Sequence, residues 1–152
     1  MRLPRSAAGW TVAAFGALAL LMGVVGLLWP AGLLALLGLT VPAVRAPGDH
    51  TGTFLVASSM AAVNMGVYYL LAAVTEWRPF FRFTVVFRTL TVLVFGIAVL
   101  AEIAPVRFLG VAAWEGLGAL ATALGLRWDA RRGIPVTGVE ATSSIPVTGA
   151  GR

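Results

Sequence analysis

Residues 81–103 are apolar enough to span a membrane, yet they hold an arginine, Arg88, well inside the segment. Thr84, Arg88, Thr91, Phe95, Ala98 and Glu102 recur at spacings of three and four. At ~100° per residue those six positions fall on one narrow stripe of a helix. A guanidinium facing lipid is expensive, so the stripe has to point into protein or a wet cavity. A helix with that demand needs other helices beside it, which sets the architecture of the whole chain.

Composition agrees. Of 152 residues, 59% are hydrophobic and only 11% charged, and the mean hydropathy is +0.93. A soluble domain carries about 25% charged residues, so the chain reads as an integral membrane protein. It has no cysteine, which excludes disulfides, thiolate metal sites and a cysteine nucleophile. His50 is the lone histidine, so one chain cannot build a multi-histidine metal site or a His-paired haem site. The net charge of +5 comes from arginines scattered at segment ends, and it does not indicate nucleic acid. No Walker A loop, HExxH or G-x-S-x-G motif is present. The run GLGALA at 116–121 matches a loose dinucleotide pattern, but it sits inside a membrane span with no strand before it.

Four spans follow from the hydropathy, at about 10–29, 53–74, 81–103 and 105–126. Trp10 and Trp29 bracket the first at a separation of ~28 Å, an aromatic belt at hydrocarbon thickness. A signal peptide is the rival reading of this end, and the length of the apolar run disfavours it. Pro30 ends the first span, and residues 31–40 are too short to cross, so they predict a short interfacial helix. Residues 41–51 are a loop with Pro42, Pro47 and Gly48 as breakers. The expected fold is all-α: an antiparallel four-helix membrane bundle over residues 1–132, followed by a disordered tail at 133–152. That tail contains IPVTG twice, too few copies for a repeat architecture.

Orientation follows from the arginines. Arg2, Arg5, Arg78, Arg82, Arg127, Arg131, Arg132 and Arg152 lie on one side of such a bundle, against Arg45 and Arg107 on the other. The positive-inside rule then puts both termini in the cytoplasm.

The candidate site is a polar centre inside the bundle. Glu115 interrupts the fourth span, with Ala112, Gly118, Ala119 and Thr122 near its face. Small residues let helix backbones approach closely, which turns that face toward protein. By depth alone, Arg88, Glu115 and Asn64 can meet, with Tyr68 one turn nearer the cytoplasm. One reading is structural: the pair neutralises itself, Asn64 completes the hydrogen bonds, and the cluster fixes helix packing. The other puts a ligand head group or a proton in the same place, with Arg88 binding and Glu115 carrying the proton. Arg88 snorkelling to the inner surface is a further alternative. Glu102, Arg107, Asp49 and His50 gather near the outer turn and read as solvated surface groups.

The layout resembles the DoxX-like superfamily of small bacterial four-helix membrane proteins. The residues behind this are WPAGLLALLGL at 29–39, MAAVNMGVYYLLAA at 60–73, FRTLTVLVFG at 87–96 and WEGLGAL at 114–120. The resemblance spans residues 10–126 and implies a four-helix fold in the bacterial inner membrane, usually without a known activity. Some relatives are named as small subunits of quinone-linked redox complexes, but this chain lacks the cysteines of the redox-linked ones. The resemblance carries over no catalytic residue.

The function expected from these residues is a non-enzymatic accessory or scaffold subunit, with membrane lipids as surroundings and a homo-oligomer or larger membrane complex as the assembly. The alternative is a quinone- or lipid-binding protein built on Arg88, Glu115, Asn64 and Tyr68. No cofactor is demanded by the sequence; a quinone is the one this centre could hold.

Overall fold

The computed structural model describes residues 3–40 and 46–133. The tail with its two IPVTG copies, and Arg2 and Arg45, lie outside the described residues. Within them the chain is all-α: α1 (Ala7–Leu28), the short α2 (Pro30–Leu36), α3 (Thr51–Val74), α4 (Arg78–Leu100), a 3-10 turn (Val106–Phe108) and α5 (Leu109–Arg131). Four of these segments are long and apolar enough to cross a membrane.

Helix ends are set by local chemistry. Ser6 is extended and its Oγ accepts from the Gly9 N–H at 2.9 Å, an N-cap that satisfies one orphan donor of α1. Pro30 opens α2 at a position where no N–H is needed, so the chain stops and restarts at Trp29. Pro near the first position does the same for α4. The C-termini of α3 and α4 share one closing motif. The Trp77 N–H reaches the Ala72 carbonyl and the Glu76 N–H reaches Ala73; Ile103 and Glu102 repeat this on Ala98 and Val99. Such a motif needs a left-handed residue, usually glycine. Here it is a glutamate both times, at φ 51° for Glu76 and 57° for Glu102.

α1 packs antiparallel to both α3 and α5, and the pairings show it. Along α1 and α3, Gly16 faces Gly66 and Tyr69, while Gly23 faces Ser59 and Val63. Along α1 and α5, Ala8 faces Gly125 and Phe15 faces Gly118. The backbones of α3 and α5 do not approach each other, and those of α3 and α4 do so little although a three-residue turn joins them. α1 therefore carries the bundle, flanked by α3 and α5.

Its seam with α3 is backbone on backbone. A Cβ at Gly23 would lie 2.7 Å from the Ser59 carbonyl oxygen, and one at Gly66 would lie 2.7 Å from the Leu20 nitrogen. Gly9, Gly16 and Gly23 repeat every seven residues on α1, and Ser59, Gly66 and Ala73 do so on α3. A period of seven keeps one face on its partner, and small residues let the helices close. The large apolar side chains point the other way: Leu93 is 58% exposed, Ile97 63% and Leu100 86%. An apolar exterior over a core of small residues suits a bundle whose solvent is lipid.

Candidate functional site

The stripe on α4 is the buried face of that helix. Phe81, Thr84 and Arg88 are buried and Thr91, Phe95 and Ala98 partly so. Glu102 leaves the stripe, because α4 ends at Leu100 and the residue is turned into the left-handed closing position, exposed.

Arg88 is 6% exposed, and all four long helices contribute to its surroundings. Its Nε donates to the Tyr69 hydroxyl on α3 at 3.3 Å. Glu115 Oε2 on α5 lies 3.7 Å from the same nitrogen, an ion pair just beyond hydrogen-bond reach. The guanidinium carbon stands 4.3 Å from the Phe15 ring centre on α1 and 5.1 Å from that of Tyr69. Ring faces are negative, so they take part of the charge that water would otherwise solvate. Trp114 backs Phe15, with ring centres 4.6 Å apart. Gly118 leaves the space that Nη1 occupies, and that Nη1 is buried with no hydrogen-bond partner. An unsatisfied buried donor costs about 1–3 kcal/mol. Neutralisation and stacking are thus provided for, but the hydrogen-bond set is incomplete.

Depth arithmetic explains the meeting. Counted from the level where Arg78 meets Asp129, Arg88 is ten residues along α4, ~15 Å, and Glu115 fourteen along α5, ~21 Å. The length of the arginine side chain spans the difference. Ala112, Gly118, Ala119 and Thr122 on α5 are all buried.

The structure does not bring Asn64 or Tyr68 into this centre. Both are exposed, Tyr68 to 57%. Gly66 marks the face of α3 that packs on α1, and a residue two positions away on a helix is turned ~160° from it. Depth put Asn64 level with Glu115 and within reach of Arg88, but helical phase turns it outward. Tyr69 takes the role considered for Tyr68. The seven-residue repeat of small residues on α3 carried the signal for this, since Tyr69 lies between Gly66 and Ala73 on that face.

A second polar centre lies at the end of the bundle where α1 begins. Asp129 is 1% exposed. Its two carboxylate oxygens accept from the Ala7 and Ala8 N–H groups, at 2.9 and 3.1 Å, and one of them also accepts from Arg78 Nη1 at 3.2 Å. A carboxylate on free N–H groups at a helix N-terminus meets both unsatisfied donors and the positive end of the dipole. Gly125, one turn earlier, permits this, because a Cβ there would lie 2.8 Å from the Ala8 nitrogen. Glu76 accepts from the Arg5 and Ser6 N–H groups and from the Ser6 hydroxyl, and sits 3.8 Å from Arg78 Nε. In the sequence Asp129 lies within the basic run RWDARR at 127–132, and Glu76 and Arg78 lie in a polar turn between two apolar stretches. Ser6 before the apolar run, and one acid inside RWDARR, were the available hints.

The chemistry open to these groups is limited. Among the described residues no cluster of three or more His, Asp or Glu could hold a metal. His50 is exposed at the start of α3, and Asp49 accepts from the Thr51 N–H and hydroxyl. An apolar cleft of about 530 Å³ opens beside the α3–α4 turn, lined by Tyr68, Leu71, Trp77, Pro79, Phe80 and Phe83 among others, and its walls include neither Arg88 nor Glu115.

No family model, curated protein or solved structure matches the chain.

Proposed function

We propose that this is a multi-pass membrane protein with both termini in the cytoplasm, acting as a non-enzymatic accessory or scaffold subunit. The supporting observation is that its intramembrane charges face one another. Arg88 is paired with Glu115 and lies over the Phe15 and Tyr69 rings, and it does not line the apolar cleft. Such a centre ties four helices together, with most of its charge neutralised internally. The DoxX-like layout and the bacterial inner membrane belong to the same reading, with the layout supplying a fold and not an activity.

A second reading keeps two separate supports. Nη1 of Arg88 lacks a partner, and Tyr68 stands in an apolar cleft large enough for a quinone ring or an acyl chain. Purification in native lipid, followed by mass spectrometry of what remains bound, separates the two. The accessory reading expects protein in fixed ratio and no retained small molecule. A quinone that is retained by the native protein and lost with Arg88→Met would overturn it.

A further inference from the structure

Asn64 is a polar side chain that points out of the bundle in the middle of a span. It stands ~20 Å from the start of α3 and ~15 Å from its end, near the middle of the span. Two other outward hydroxyls are satisfied within their own helices: Ser58 donates to the Leu55 carbonyl and Thr89 to that of Val85. No hydrogen bond within the described residues engages the Asn64 carboxamide, and the residue is exposed. On α4 and α5 the outward positions away from the ends are apolar, glycine or such a self-bonded threonine. A carboxamide left bare in hydrocarbon carries a desolvation cost that a neighbouring helix can remove.

The face around it has the form of a helix-pairing seam. Phe54, Ala57, Ala61, Asn64, Tyr68 and Leu71 recur at spacings of three and four, and every one is exposed. That is the spacing by which one helix packs along another, here with alanines one turn apart above the polar position. α1 occupies the opposite side of α3, so the seam points out of the bundle.

We propose that this seam is where a second copy of the chain docks, α3 against α3, with the two Asn64 carboxamides bonded to each other. The chemistry selects the occupant. Copies inserted in the same direction meet about a two-fold axis along the membrane normal, which puts residue 64 opposite residue 64 at one depth. Asparagine both donates and accepts, so it complements itself, as an unpaired charge would not. Ala57 and Ala61 allow the close approach that the short carboxamide needs. A single polar residue in such a seam also sets its register. The proposal rests on the accessory reading for its membrane setting, and it names the partner and the face.

The absence of cysteine makes the test direct. Ala61→Cys on the seam and Leu93→Cys on the outward face of α4 are each oxidised in native membranes. A disulfide needs Cα atoms about 4.4–6.8 Å apart. Ala61→Cys should give a disulfide-linked dimer and Leu93→Cys little. Adding Asn64→Leu should weaken self-association about three- to twenty-fold, with Asn64→Gln partly restoring it. Because Asn64 makes no side-chain hydrogen bond among the described residues, thermal unfolding of the monomer in dilute detergent should not change. Equal cross-linking at both positions, or cross-linking indifferent to Asn64→Leu, would overturn the proposal. Ala61→Cys captured by a different polypeptide would overturn self-pairing and leave the accessory reading intact. A quinone bound through Arg88 would sink the accessory reading whatever the cross-linking shows.

Discussion

A Cβ built on Gly118 would lie 1.8 Å from Nη1 of Arg88, so the missing side chain of one residue is the binding space of the other. The guanidinium cannot retreat from an added methyl without leaving the Phe15 and Tyr69 rings, 4.3 and 5.1 Å away. Phe15 itself would stand 2.9 Å from that Cβ. Gly118→Ala should therefore destabilise the bundle by about 1–3 kcal/mol, the usual cost of overpacking, although alanine is the better helix former. Thermal unfolding in detergent reads this. In an Arg88→Met background the cost should shrink to the residual contact with Phe15, and an equal cost in both backgrounds would mean that the arginine does not fill that space.

Arg88 and Glu115 should be energetically coupled. Their charged groups are 3.7 Å apart and three-quarters or more buried. Removing either partner strands a charge, with a cost near the low end of the range for broken buried pairs, about 3 kcal/mol, since Glu115 keeps some exposure. Arg88→Met with Glu115→Gln should regain most of it, because a buried pair is often no better than an apolar substitute. A double-mutant cycle on the solubilised protein measures the coupling, and strictly additive effects would refute the contact.

Glu76 and Glu102 hold the same left-handed backbone position at the ends of α3 and α4, yet substitution should move stability in opposite directions. A non-glycine residue there carries a steric penalty of about 1–2 kcal/mol. Glu102 is exposed, and Glu102→Gly should raise the melting temperature slightly. At Glu76 the carboxylate accepts from two backbone N–H groups and the Ser6 hydroxyl at the start of α1. Glu76→Gly should lower the melting temperature by several degrees despite relieving the same strain. A rise with both variants would show that the latch on α1 contributes nothing.

Topology has a test of its own. Single cysteines at positions 5, 46, 77 and 140 are exposed to an impermeant thiol reagent in intact cells. With both termini cytoplasmic, the Ala46 position alone should label, because the arginine excess lies on the side of the other three. Labelling at Trp77 would invert the arrangement.

How much of this was legible in the chain depends on what carries helical phase in a lipid environment. Four apolar stretches of the right length announced an all-α bundle, because a spanning segment must satisfy its backbone internally. The Arg88 stripe disclosed the inner face of α4, since a charge can turn only one way. α3 offered no such marker. Its apolar residues fit lipid as well as protein, so apolar periodicity could not tell inside from outside, and depth alone drew Asn64 and Tyr68 toward Arg88. Tertiary structure settled the rotation through the close approach of Gly16 and Gly23 to Gly66 and Ser59, which turns Tyr69 inward and Asn64 out. It also decided the link between Asp129 and the first turn of α1, partners 121 and 122 residues apart. The sequence by itself determined which segments are helices and which charge had to be buried, because length and desolvation are local quantities. Which residues receive that charge was decided only by the packed bundle, because it depends on the relative rotation of four helices.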